Sequence, residues 1–179
     1  RSRSGMMARF FQLAPMVRFL LIFSALLAVL FIAELTPPAQ QWVVQPWTNF
    51  VAYLSGIVAR WIDPNTIVAG ATLMDPVSRF GVTIVAGCNG VEATIMLLAA
   101  MVAFPASFVA KAVGIVVGTI AVQGLNLVRV VSLYFIGRWS MPAFEFAHLY
   151  AWQVLILLDV LIVWLLWLRA LPAKKAARD

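Results

Sequence analysis

Four long apolar runs set the pattern of the chain, and the polar residues between and within them carry the rest. The first, "MVRFLLIFSALLAVLFIA" (16–33), holds a single charge and closes at "ELTPP". A second opens behind "AGCNGVEA", covers about 89–104 and stops at Pro105. The third covers about 112–137 within "KAVGIVVGTIAVQGLNLVRVVSLYFIGRW", and the fourth, "HLYAWQVLILLDVLIVWLLWL", covers 148–168. A helix needs roughly 17–25 apolar residues to cross a bilayer, so four spans are expected, the second of them short. The stretch "QQWVVQPWTNFVAYLSGIVARWIDPN" differs. Trp47, Phe50, Val51, Leu54, Val58 and Trp61 recur in it at helical spacing, with Asn49, Ser55 and Arg60 at other positions. Pro46 and those polar groups predict an amphipathic helix lying at the interface rather than a span. Beyond it, "TIVAGATLM" and "SRFGVTIVAG" flank a turn at Asp75-Pro76 and predict a short β-hairpin.

Composition agrees with the pattern: 64% of the 179 residues are hydrophobic and 11% charged. A soluble domain is nearer half apolar and a quarter charged. The fold class expected is an all-α integral membrane protein: four transmembrane helices plus a periplasmic amphipathic helix and a short hairpin. The opening "RSRSG" (1–5) reads as a cloning scar and is set aside, leaving 6–179 as one membrane domain. No cleavable signal peptide is expected, because no small-residue cleavage site follows the first run. The net charge of +6 does not point to nucleic acid: the basic residues sit at segment ends, with no interleaved stripe and no phosphate-cradling glycine loop. They report orientation in a lipid bilayer instead, since Lys and Arg accumulate on the cytoplasmic side. Arg9, Arg18, Lys111, Arg169, Lys174, Lys175 and Arg178 fall on one side of a four-span topology. Arg60, Arg79 and Arg138, with Glu34, Asp63, Asp75 and Glu145, fall on the other. Both termini are therefore expected in the cytoplasm and the segment 34–88 outside. A fifth span at 42–62 would send the basic tail outside, against the rule.

This topology gathers chemistry at the outer face. Cys88, the only cysteine, sits at the outer end of the second span. Arg129 lies about ten residues before the outer end of the third, and His148, the only histidine, opens the fourth. A charge inside a span costs a few kcal/mol and by default faces protein or a wet cavity. A cation or a helix N-terminus lowers a thiol's pKa, histidine can carry its proton to a leaving amine, and arginine can donate to an oxyanion. Asn126 shares a helix face with Arg129, and Glu92 shares one with Cys88. Plainer readings stand beside these. Cys88 serves equally as a small hydrophobe. Arg129 could pair structurally with Glu92 or Asp159, His148 could be an interfacial residue satisfied by water, and Asn126 could hydrogen-bond between helices. The tryptophans Trp42, Trp47, Trp61, Trp139 and Trp152 read as interface anchors. One Cys and one His without a spaced pair do not make a metal site, and no cofactor is indicated. A non-enzymatic scaffold or transporter-like subunit is the alternative from another class.

"AGCNGVEATIMLLA", "QGLNLVRVVSLYFIG" and "EFAHLYAWQVLILL" together resemble the exosortase/archaeosortase family, and the "GCNGVE" variant in a short chain is most similar to the exosortase H branch. The resemblance covers roughly 75–168, more loosely 16–74. It implies a cysteine protease/transpeptidase of the bacterial inner membrane. Its partners would be membrane-anchored substrates bearing a C-terminal motif, transmembrane helix and basic tail. It also implies Cys88, Arg129 and His148 as the catalytic set, with Asn126, Glu92, Asn89 and Gly90 in support.

Overall fold

Long apolar helices need a partner on every side, and here lipid supplies much of it. The computed structural model describes residues 15–171. Residues 1–5, expected to be a scar, Arg9 and the tail residues Lys174, Lys175 and Arg178 lie outside the described residues. The chain is mostly helical. Three stretches are long and apolar enough to cross a membrane: α1 (Pro15–Glu34), α4 (Phe108–Trp139) and the unbroken helical run Met141–Ala170. That last run comprises α5 (Met141–Phe146), a π-helical turn (Ala147–Ala151) and α6 (Trp152–Ala170). It begins earlier than the expected opening at His148, because Ser140 caps it and its side chain accepts from the Ala143 N–H. Val29 and Ile32 of α1, Val117 and Ile120 of α4, and Leu157 and Leu166 of α6 stand exposed, as lipid-facing side chains do.

The fourth apolar helix, α3 (Val91–Ala103), has 13 residues. At 1.5 Å per residue that is about 20 Å, against roughly 30 Å of hydrocarbon. The structure thus offers three helices of spanning length and one short one. α3 is the hub of the bundle, in contact with α1, α4 and α6. Leu97, Ala99 and Met101 are wholly covered, and Leu97 and Met101 form the core between helices with Val122, Ile156, Val160 and Trp167. Gly118 permits the close approach of α4: a Cβ there would lie 2.8 Å from a Leu97 methyl.

α4 has 32 residues, about 48 Å of helix, and so overhangs the hydrocarbon. A small cap surrounds its C-terminal end. The cap holds α2 (Gln45–Ile62) and a three-stranded antiparallel sheet, β1 (Ile67–Ala69), β2 (Thr72–Met74) and β3 (Gly81–Thr83), in that order. Leu73 pairs with Val68 on one side and Val82 on the other. Two strands were expected and three are found, because "TIVAGATLM" folds back on itself at Gly70. Its φ of +58° gives the backbone that tight hairpins require.

The inner face of α2 also differs from expectation. Thr48, Val51, Ala52, Ser55, Gly56 and Ala59 are buried, while Phe50, Tyr53 and Trp61 are exposed. Small side chains let α2 lie close on the sheet, where Gly56 meets Val68; the large apolar ones face outward. Arg138 of α4 ties the cap down by pairing with Asp63 and, at 3.0 Å, with the buried Asp75.

Candidate active site

Between β3 and α3 the chain makes a tight turn, held by a set of hydrogen bonds. Gly87 (φ +84°) and Gly90 (φ +76°) sit in the left-handed region, which side chains resist. The Cys88 N–H donates to Val85 O at 2.9 Å. The Gly87 N–H donates to the Glu92 carboxylate, and Gly87 O accepts from Arg129 Nη1 at 3.3 Å. Asn89 holds three contacts. Its Oδ1 accepts from the Val91 N–H at 3.0 Å, its Nδ2 donates to Thr48 Oγ1 at 3.0 Å, and its carbonyl accepts from Trp47 Nε1 at 3.2 Å. Gln123 Nε2 donates to Gly90 O at 3.0 Å. α2, α4 and the first turn of α3 thus hold one short loop from three directions.

That loop presents Cys88 to groups from two other elements. His148 Nε2 lies 3.2 Å from Cys88 Sγ, and Arg129 Nη2 lies 3.6 Å from the same sulfur. Arg129 is 2% exposed. It pairs with neither Glu92 nor Asp159: among the described residues the ion pairs are those of Arg138. Its Nε has no partner among the described residues. His148 stands in the π-helical turn, a distortion common at functional sites. Its ring stacks on Phe144 with centroids 5.5 Å apart. Asn126, one turn before Arg129, is fully buried, and neither atom of its amide has a partner. The interhelical hydrogen bond expected of it is absent from the described residues.

Electrostatics here run against the simple expectation of a low-pKa cysteine. Burial pushes the Cys88 thiol up; the Arg129 charge pulls it down, and the Glu92 carboxylate adds to the rise. The net shift is upward, with His148 Nε2 within hydrogen-bond reach of the sulfur. The three residues line a cleft of about 180 Å³. Its walls are β3 on one side and Met141 and Phe144 of α5 on the other, over Val130 and Leu133 of α4. Among the described residues no three His, Cys, Asp or Glu side chains gather as a metal would need.

Several residues of the site carried little sequence signal. Trp47, read as an interface anchor, is a hydrogen-bond donor to the turn. Thr48 and Gly87 looked like spacing. Gln123 was traceable as a polar residue three positions before Asn126 inside an apolar run, and Phe144 as an aromatic four positions before His148 on one helix.

Neither the curated proteins nor the solved structures contain a match to the chain. The family profile described as transmembrane exosortase, of the EpsH type, matches residues 5–168. That match takes in every strand, all of the helices but the last two residues of α6, and the loop bearing Cys88. The chain belongs to the transmembrane exosortase family, membrane enzymes that sort proteins by proteolysis and transpeptidation.

Proposed function

We propose that the chain is a cysteine protease/transpeptidase of the bacterial inner membrane. It cleaves proteins that carry a C-terminal motif, transmembrane helix and basic tail, and passes on their N-terminal portion through a thioester on Cys88. The observation that carries this reading is the 3.2 Å approach of His148 Nε2 to Cys88 Sγ, with the Arg129 guanidinium beside the sulfur. In the first step His148 takes the thiol proton as Sγ attacks the scissile carbonyl carbon. Arg129 faces the developing oxyanion, and the unpartnered donors Arg129 Nε and Asn126 Nδ2 are available to it. On collapse the C–N bond breaks, His148 gives its proton to the departing nitrogen, and the N-terminal fragment stays on sulfur as a thioester. An acceptor (water, an amine or a glycan-linked group) then attacks that carbonyl, and the thiol is restored with its proton. A raised thiol pKa suits this sequence, because the proton leaves only as the bond forms.

Four crossings, α3 among them, put both termini in the cytoplasm and the cap in the periplasm. The asymmetry of Lys and Arg supports this orientation. The test is co-expression of a tagged membrane protein bearing such a C-terminal signal. Wild type should remove the tail, and Cys88→Ala should leave full-length substrate while accumulating normally in the membrane. Tail removal by Cys88→Ala would end the enzyme reading.

A further inference from the structure

The sheet of the cap is hydrogen-bonded on one side only at β3. It is an edge strand, paired with β2 alone. In an antiparallel pair, successive residues turn their N–H and C=O to opposite sides. Asp75 N donates to Phe80 O and Ile84 N to Ala71 O, so Phe80, Val82 and Ile84 address β2. Gly81, Thr83 and Val85 address the other side. Among the described residues, the one backbone bond they make there is Val85 O accepting from Cys88 N. All three are exposed. Exposed edges are normally covered or blunted with Lys or Pro, because they recruit other strands. "FGVTIVA" (80–86) has neither, and its residues 80–85 line the cleft that also holds Cys88.

The strand also has a direction relative to the nucleophile. Phe80 stands against Gly137 near the end of α4, whereas Cys88 stands beside Arg129 about two turns earlier on the same helix. β3 therefore descends along α4 toward the thiol.

We propose that the free edge of β3 is the substrate-binding strand. An extended segment of the substrate, N-terminal to the scissile bond, pairs with Gly81, Thr83 and Val85 and delivers its carbonyl to Cys88. This rests on the protease reading above. A substrate whose N-terminal part lies outside and whose C-terminal helix lies in the bilayer runs toward the membrane, as β3 does, so the pairing is parallel. From Gly81 to Val85 is about 13 Å at ~3.3 Å per residue, room for about four substrate residues. Main-chain bonds hold such a segment whatever its sequence. Every second side chain falls on the apolar floor and wall made by Val130, Leu133, Met141 and Phe144. The ligand class is an extended peptide with apolar residues at alternate positions.

The test uses the full chain in detergent and a pool of acetylated tripeptide chloromethyl ketones with randomised side chains. Covalent labelling of Cys88 is followed by mass and divided by the labelling rate with iodoacetamide, which needs no strand pairing. N-methylation of the pool at the amide that meets the edge should lower this ratio about tenfold, the worth of one or two hydrogen bonds. N-methylation at the neighbouring amide should leave it. Thr83→Pro, which deletes a cleft-facing N–H and, of the contacts to β2, no backbone bond but only the hydroxyl contact with Thr72, should lower the ratio similarly. Equal ratios for both methylated pools and for Thr83→Pro would overturn the proposal. A full ratio in Thr83→Pro together with a shift from dimer to monomer would overturn it too, giving the edge to a second copy. If Thr83→Pro loses iodoacetamide labelling as well, the two methylated pools decide. A wild-type Cys88 inert to both reagents would overturn the protease reading itself.

Discussion

Cys88 carries three competing influences that single substitutions can separate. Burial raises its pKa, the Arg129 guanidinium lowers it and the Glu92 carboxylate raises it. Because the folded value is raised, the thiolate is scarce at neutral pH and accumulates only above the usual thiol range of about 8.5. Iodoacetamide labelling of the detergent-solubilised protein should therefore rise with pH to a midpoint above that range. Glu92→Gln should move the midpoint down and Arg129→Ala should move it up. Arg129→Lys keeps the charge, so its midpoint should stay near that of wild type. Its tail removal should still fall, on the order of a hundredfold, because an ammonium cannot reach both Gly87 O and the sulfur as the guanidinium fork does. Full tail removal by Arg129→Lys would demote Arg129 to a structural charge and leave Cys88 and His148 as a pair.

At the scale of elements, the cap is held to the overhang of α4 by a latch with a definite pH sign. Hydrogen bonds from Asn65 and Arg138 hold the Asp63 carboxyl below its usual range, and bonds from Ser78 and Val77, with Arg138 nearby, do so for Asp75. A folded value below the unfolded one means stability that is present above the unfolded pKa and lost as pH falls through the folded one. Thermal stability in detergent should hold from neutrality to about pH 5 and decline below about pH 4, and Asp75→Asn should flatten that acid limb. An unchanged limb in Asp75→Asn would detach the latch from acid stability. The latch was half legible in the sequence: Arg138, Asp63 and Asp75 fall on one side by charge counting, but nothing local pairs them. The apolar runs showed themselves because each is a property of consecutive residues. The third strand hid behind one φ angle at Gly70. The small-residue face of α2 hid because Gly56 and Ala59 signal packing only once Val68 is known to lie opposite. The grouping of Cys88, Arg129 and His148 was suggested by topology together with side-chain chemistry and the family resemblance, whereas the π-turn under His148 and the open edge of β3 depend on neighbours distant in sequence.

For the whole molecule, helix lengths fix where the chemistry sits in the bilayer. From Phe108 to Arg129 is 21 residues of α4, about 32 Å, close to one hydrocarbon thickness. If the Phe108 end lies at the cytoplasmic interface, Arg129 reaches the periplasmic one, and the cap stands outside. α3 covers only part of that distance. In that orientation the loop bearing Cys88 would dip toward the membrane, where the proposed substrate's transmembrane helix would begin. Site-directed labelling with a membrane-impermeant maleimide, in a Cys88→Ala background, tests this arrangement. Val85→Cys reports the cap, where Val85 is 54% exposed, and Ser107→Cys reports the exposed turn between α3 and α4. Val85→Cys should label in intact spheroplasts, and Ser107→Cys only after permeabilisation. The reverse pattern would invert the protein and carry the active site into the cytoplasm. Labelling of both from outside would put both ends of α4, as well as of α3, on one face, leaving α1 and the Met141–Ala170 run as two crossings and overturning the four-crossing arrangement.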